Sequence, residues 1–258
     1  MSNHTKTLSL CALLALTCSL SAQAEEAKQQ AGQEAQQSIG PKHGATLIPK
    51  ARQVICENDG GYNYPDDGSK IPNAACRAAF LFKQDSIPIW ERRQMFTEWP
   101  AYSQNLEGTG SPADKVPDGH LCSAGIAKFE GIDQPHKDWQ VSSVTVKDGK
   151  ATLYYDATKI HEPSKWDIYI AKKEFDPTTQ KLSWDALEPL KVTEVIVPPG
   201  TDGGVYQIEV EIPQDRVNSQ HTLLYVQWER IDPARETFFS CSDVSFTATP
   251  TKAKLTNG

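Results

Sequence analysis

The sequence predicts a mainly β protein, an immunoglobulin/fibronectin III-like β-sandwich with a large loop-rich, partly helical insertion near its N-terminus. Two patterns lead to this fold class. After Trp139 the chain consists of short segments of alternating polarity separated by turns, which is typical of a sandwich. From His43 to Trp139 it is dense in Pro, Gly, Asn and Asp, which predicts loops that present side chains at the surface.

The first element is an expected export signal over residues 1–24. Lys6 gives a positive start, residues 8–20 form an apolar run, and residues 22–24 read as a cleavage site. The run is shorter than the roughly 20 apolar residues of a transmembrane helix, and no later stretch approaches that length. We therefore expect a secreted protein, exported through the periplasm if the source is Gram-negative, with no membrane partner. A lipoprotein signal at Cys18 is the weaker alternative.

Residues 25–42 predict a flexible extension or propeptide, because this Gln-, Glu- and Ala-rich stretch has almost no side chains that would form a core. The length from His43 onward suits one domain, placed at residues 43–248 and followed by a C-terminal tail over residues 249–258. The formal net charge of −7 argues against a nucleic-acid partner. We expect a monomer.

Two helices are predicted in the insertion. One spans residues 73–84, with Asn73 as a possible N-cap, and the other spans residues 88–99, with Pro88 in the first turn.

Seven strands are predicted after Trp139. Residues 141–146 and 151–156 read as a hairpin around the turn at 147–150. The further strands are 166–171, 191–197, 205–212, 222–228 and 239–247. In the strand at 205–212, apolar side chains alternate with polar ones, which predicts a half-buried strand.

Disulfides are predicted for the cysteines that remain after export. Cys11 and Cys18 leave with the signal, and an even number stays in an oxidising compartment. Zinc is the competing interpretation, but the chain has no C-x-x-C pair. The pairing we favour joins Cys56 to Cys76 and Cys122 to Cys241.

The usual motifs of serine hydrolases, nucleotide-binding proteins and zinc proteases are absent from the sequence. A glycosidase carboxylate pair stays open, because many chains this rich in acids supply one. His43, in a His-Gly pair, and His161, between two predicted strands, are the candidate metal ligands. No role is assigned to His120, His136 or His221.

Several motifs, in the same order along the chain, resemble the bacterial lytic polysaccharide monooxygenases of auxiliary activity family 10, also called type-4 chitin-binding domains. The motifs are His43-Gly44 with Pro49, Ala51-Arg52 and Cys56; Leu106-Glu107-Gly108; residues 116–125 (VPDGHLCSAG); His161 with Trp166 to Lys172; and Trp228 with Phe238 to Val244. The stretch at 116–125 is the most specific match.

The resemblance implies one copper ion bound by His43, as the mature N-terminal residue, and by His161. Imidazole nitrogens suit copper, and a free α-amine loses its proton to a metal more readily than lysine does. The family chemistry is oxidative cleavage of a crystalline polysaccharide, with an external electron donor. The resemblance further implies that Phe238 shields an axial position, Glu107 steers the oxygen species, and Trp99 is a candidate substrate-binding aromatic.

Two departures from the family pattern bear on activity. Cleavage of the signal leaves His43 behind residues 25–42, so its nitrogen stays an amide unless a second cut follows Lys42. Lys159 stands where the family usually has a small alanine beside the copper, and its cation either blocks the site or extends to solvent.

Three functions remain open. The first is a secreted copper-dependent monooxygenase that cleaves chitin or a related β-1,4-linked polysaccharide. The second is a non-catalytic chitin- or N-acetylglucosamine-binding colonisation or adhesion protein with the same fold. The third is a periplasmic copper-binding or structural β-sandwich without a glycan substrate. Chitin is preferred over cellulose only because the loop motifs resemble the chitin-active branch.

Overall fold

The computed structural model describes residues 44–249, which form two β-sheets and a helical, loop-rich insertion after the first strand. The predicted fold class is therefore confirmed. The strands are β1 (Gly44–Ile48), β2 (Ser103–Asn105), β3 (Ser142–Val146), β4 (Lys150–Ala157), β5 (Ser164–Ala171), β6 (Leu187–Leu190), β7 (Val192–Ile196), β8 (Gly204–Glu211), β9 (Thr222–Arg230) and β10 (Glu236–Ala248). The α-helices are α1 (Arg52–Asp59), α2 (Ala74–Leu81) and α3 (Ile89–Thr97).

Sheet A has the strand order β1-β4-β8-β7, and sheet B has the order β2-β10-β9-β5-β6. These pairs are antiparallel, and β3 adds to β10 of sheet B in parallel. Strand β10 therefore carries hydrogen bonds to three other strands.

The predicted strands and helices agree with the structure to within a few residues. Asn73 caps α2 as expected, because its side chain accepts a hydrogen bond from the backbone N–H of Cys76 at 2.9 Å. Helix α1 was not predicted. It follows Ala51, makes no side-chain cap hydrogen bond and has no acidic residue in its first turn, so the usual start signals are missing.

The predicted hairpin at 141–156 is wrong. Lys147 and Lys150 form an isolated bridge across the turn, where Asp148 and Gly149 both have positive φ. Beyond that bridge the two strands separate, because β3 joins sheet B and β4 joins sheet A. The alternation that suggested pairing has another cause: both strands point apolar side chains into the same interior from opposite sheets.

The sandwich core lies between the two sheets. On β8, the alternating side chains Tyr206, Ile208 and Val210 are fully buried there, as the strand pattern predicts. Its larger aromatic side chains come from five strands: Tyr155, Trp166, Tyr206, Trp228, and both Phe238 and Phe246.

The insertion core lies between the helical insertion and the outer face of sheet B. Strand β9 shows the two cores most clearly: Leu224 and Val226 face the sandwich core, while Leu223 and Tyr225 face the insertion core. Burial on both sides explains why β9 reads as a nearly continuous apolar run rather than an alternating one.

Both predicted disulfides are present and both lie in the insertion core. Cys56–Cys76 joins α1 to α2, and Cys122–Cys241 joins the insertion to β10. Such bonds are typical of exported proteins, in agreement with the expected compartment.

Buried charges accompany these disulfides. Arg52 binds both carboxylate oxygens of Asp243, at 2.6 and 3.0 Å, and its guanidinium lies over the ring of Trp139. His221 Nε2 lies 2.8 Å from the same carboxylate. Burial alone would raise the pKa of Asp243, but the charge of Arg52 and the contact with His221 hold it below its ordinary value.

Within residues 44–249, no helix is long and apolar enough to cross a membrane. The predicted signal (1–24), the extension (25–42), His43 and most of the C-terminal tail lie outside the described residues.

Candidate functional site

The loop that carries His161 follows the end of β4, next to the beginning of β1. Gly44, the first described residue, pairs with Ala157 on one side of β4, and Gly204 pairs with Ala157 on the other. A Cβ atom on Gly44 would lie 2.1 Å from the carbonyl oxygen of Asp156, so only glycine fits this close approach. The start of β1 is thereby held against Ala157, which lies four residues before His161 in the chain.

Beneath this loop lies an aromatic row of sheet B. The strand register places Trp166, Trp228 and Phe238 side by side on β5, β9 and β10. The rings of Trp166 and Trp228 stack with their centroids 5.6 Å apart, and the ring centroids of Phe238 and Trp228 are 5.3 Å apart. The centroid of the half-buried His161 ring lies 6.2 Å from the ring centroid of Trp228. The predicted copper ligand therefore packs against the same aromatic cluster as Phe238, the residue predicted to shield an axial position.

Tyr206 connects this cluster to the His161 loop. Its hydroxyl donates to the His161 carbonyl oxygen at 3.4 Å, and the Glu162 carboxylate lies close enough to affect its pKa. Burial and the Glu162 contact both raise the pKa of Tyr206 well above its usual range, which keeps the hydroxyl protonated. Glu162 accepts two further bonds from Ser164, one from its backbone N–H and one from its hydroxyl.

Lys159 pairs with Asp202 rather than lying buried in the site. Its Nζ lies 3.2 Å from Oδ1 of Asp202, and its side chain is 41 % exposed. The backbone N–H of Ile160 donates to the Thr201 carbonyl at 3.3 Å, which ties the same two loops together. Of the two alternatives for this cation, the structure therefore favours extension to solvent.

Glu107 lies in an exposed turn directly after β2. Backbone N–H groups of Leu106 and Glu107 donate to the carbonyls of Arg235 and Ala234, and the Arg235 guanidinium binds the Thr109 carbonyl at 3.0 Å. Because β2 pairs with the first residues of β10, this turn is at the same end of sheet B as the start of β5, just after His161.

Trp99 is half-buried in a short 3₁₀ turn and packs against Ala45, Ala51 and Val54. Part of its ring therefore supports the β1 segment. A substrate contact for Trp99, like the roles of Glu107 and Phe238, stays a prediction.

The other three histidines of the described range, His120, His136 and His221, lie beside Glu130, Asp138 and Asp243, respectively. Across residues 44–249, no group of three or more His, Cys, Asp or Glu side chains could hold a metal. His43 lies outside this range, so the pair of His43 and His161 stays a prediction.

Tyr206 and Glu162 were not singled out from the sequence. Tyr206 is one of several alternating residues on β8, and nothing in that pattern indicates that its hydroxyl reaches a loop 45 residues away.

Comparison with known proteins identifies the family. Residues 43–244 match the family model described as lytic polysaccharide mono-oxygenase, cellulose-degrading. The chain belongs to this family, auxiliary activity family 10. Members of this family use copper. Some members are named as monooxygenases, and others are named as chitin-binding proteins.

Three relatives illustrate this range. A lytic cellulose monooxygenase of Streptomyces ambofaciens is 32% identical over 79% of this chain and 53% of its own length. The chitin-binding protein CbpD of Pseudomonas aeruginosa is 29% identical over 79% of this chain and 47% of its own. The chain thus spans about half the length of these bacterial relatives. A solved fusolin of Anomala cuprea entomopoxvirus superposes with a TM-score of 0.66 at 26% identity, over 81% of this chain and 91% of that chain.

Proposed function

We propose that this protein is a secreted copper-dependent monooxygenase that oxidatively cleaves chitin or a related crystalline β-1,4-polysaccharide, with His43 and His161 as copper ligands. The observation that carries the proposal is the position of His161, in a loop beside the first residue of β1 and above the Trp228–Phe238 row. His43 is the residue immediately before that strand.

The donor groups fit copper. Imidazole is a favourable ligand for this metal, and a histidine at the N-terminus adds its α-amine. When bound, copper supplies the redox chemistry that the side chains of this protein lack. The protein side of the proposed site is the His161 imidazole with an apolar wall of Trp228 and Phe238 beneath it.

Each neighbouring residue has a proposed part in that site. The fully buried Phe238 excludes water on the protein side. The exposed Glu107 supplies a carboxylate near the rim, and Trp99 offers the uncovered part of its ring to substrate. Lys159, paired with Asp202, keeps its charge at the periphery.

The proposal requires processing. A free amine at His43 needs cleavage after Lys42, and a basic residue at that point suits a trypsin-like protease. Residues 25–42 would then be a propeptide.

A non-catalytic chitin-binding adhesion protein is the second candidate. It is favoured by the extension ahead of His43 and by the relative described as a chitin-binding protein. It requires the same fold but neither a free amine nor copper.

The deciding experiment is intact-mass analysis of the protein recovered from its native secretion host. The monooxygenase proposal expects a chain that begins at His43, whereas a chain that begins at Glu25 contradicts it and favours the adhesion protein.

A functional assay separates the substrates. The processed protein, with Cu(II) and a reductant, is expected to produce oxidised ends on chitin, and cellulose is the parallel arm. His161→Ala should abolish copper binding and oxidation, while His136→Ala, which alters a histidine beside Asp138, should leave both unchanged. If neither chitin nor cellulose acquires oxidised ends, the monooxygenase proposal is wrong and the chitin-binding adhesion protein is favoured.

A further inference from the structure

The His161 loop is held from below by a network that the family comparison does not assign. We propose that Tyr206 and Glu162 are positioning residues, which fix the backbone of residues 158–164 and thereby set the direction of the His161 imidazole. The inference rests on the proposed function for its purpose, since a fixed imidazole matters most where it binds a metal.

Tyr206 reaches the loop in two ways. Its hydroxyl donates to the His161 carbonyl oxygen at 3.4 Å, next to the Glu162 carboxylate. The ring centroid of Tyr206 lies 5.5 Å from that of Trp228, and the Trp228 centroid lies 6.2 Å from that of His161. Both the main chain and the side chain of His161 are therefore connected to one buried residue.

Glu162 extends this network along the loop. Its carboxylate accepts from the Ser164 backbone N–H at 3.2 Å and from the Ser164 hydroxyl at 2.9 Å. These bonds close a short turn around Pro163 at the start of β5. The hydrogen bond from Ile160 to Thr201 holds the other end of the loop.

A polar anchor below the loop has a physical advantage over apolar packing alone. The Tyr206 side chain is fully buried among Trp166 and Trp228, so its hydroxyl has few orientations available. A hydrogen bond from a rigid residue fixes its acceptor more narrowly than a contact between apolar surfaces, because it depends on direction as well as distance.

The chain offers a matched control. Tyr155 is also a fully buried tyrosine that contacts Trp166 and Trp228, at 5.0 and 5.4 Å. Its hydroxyl has no hydrogen-bond partner among residues 44–249. Tyr155→Phe and Tyr206→Phe therefore remove the same atom from the same cluster, and only the second removes a contact with the loop.

The first readout is hydrogen exchange in the metal-free exported protein. Loss of one hydrogen bond in Tyr206→Phe is expected to accelerate exchange of the amides of Ile160 and Ser164 about fivefold. Tyr155→Phe should leave these amides at the wild-type rate. Glu162→Ala, which alters an exposed side chain and so spares the core, should accelerate the Ser164 amide as well.

The second readout is the binding of copper by the processed protein. In the processed protein, Tyr206→Phe is expected to weaken Cu(II) binding about tenfold and to change the Cu(II) electron paramagnetic resonance spectrum, with Tyr155→Phe unchanged in both. Wild-type exchange rates in both Tyr206→Phe and Glu162→Ala overturn the network, as does equal acceleration in the two tyrosine variants. If the wild-type processed protein binds no copper, the proposed function fails, and the exchange rates still decide whether the network exists.

Discussion

The sandwich core and the insertion core are stabilised by different means. The sandwich core consists of apolar and aromatic side chains that regular strands deliver from both sheets. The insertion core is built from short helices and loops, and it contains both disulfides, the Arg52–Asp243 pair and the carboxyl of Asp133. A region with little regular structure thus relies on covalent links and buried charge where the sheets rely on periodic burial.

The covalent links provide the largest expected effect. Replacing both Cys122 and Cys241 by Ala should lower the free energy of unfolding by about 4.7 kcal/mol, because the bond closes a sequence separation of 119 residues. The same change at Cys56 and Cys76, with a separation of 20, should cost about 3 kcal/mol. Urea unfolding under oxidising conditions measures both losses. A greater loss at Cys56–Cys76 would contradict the loop-length argument.

The buried charges come next. Asp243→Ala leaves Arg52 without its carboxylate in the insertion core and is expected to cost about 3–5 kcal/mol by urea unfolding. Asp215→Ala is the control, since Asp215 and its partner Lys173 are both exposed and the loss should be far smaller. Equal losses in the two variants would remove the distinction between buried and surface pairs.

The smallest effect expected here depends on pH. Burial raises the pKa of Asp133 to about 7, although the Ser123 N–H and the charge of Arg52 oppose the shift. The folded protein therefore holds this proton more tightly than the unfolded chain. The stabilisation is complete below the ordinary aspartate pKa, near about 4, and is lost as the pH rises to about 7.

Asp133→Asn tests this sign, because the amide oxygen still accepts from Ser123 and no longer ionises. Relative to wild type, the variant should gain roughly 3 kcal/mol of unfolding free energy between about pH 4.5 and pH 8. A difference between the two proteins that is the same at both pH values would show that Asp133 ionises equally in the folded and unfolded states.

The two regions also differ in how far the sequence predicted them. Seven of the ten described strands were found because alternation and turns are local signals, and β8 lies where its pattern places it; β1, β2 and β6 were not predicted. The partner of β3 was not found, because alternation identifies a buried face but not the sheet that it belongs to. In the insertion, α1 carries no cap and was missed, whereas the cysteines were paired correctly.

The candidate site also contains residues that the sequence identified and residues that it did not. His161 and Phe238 were selected from motif resemblance, and the structure brings both against Trp228. Tyr206 and Asp202 were not selected, because each reaches the His161 loop from a different strand or turn. Contacts of that kind depend on register and loop path, which the local sequence does not encode.

Strand β10 sets an order in which the protein assembles. It pairs with β2, β3 and β9 and carries Cys241, yet it follows all of them in the chain. In an exported chain, the bond between Cys56 and Cys76 can close before the sheet strands reach the oxidising compartment, but Cys122 remains a lone thiol until Cys241 arrives there. An oxidant that acts too early therefore meets Cys122 without its native partner, and the timing of oxidation becomes part of correct folding.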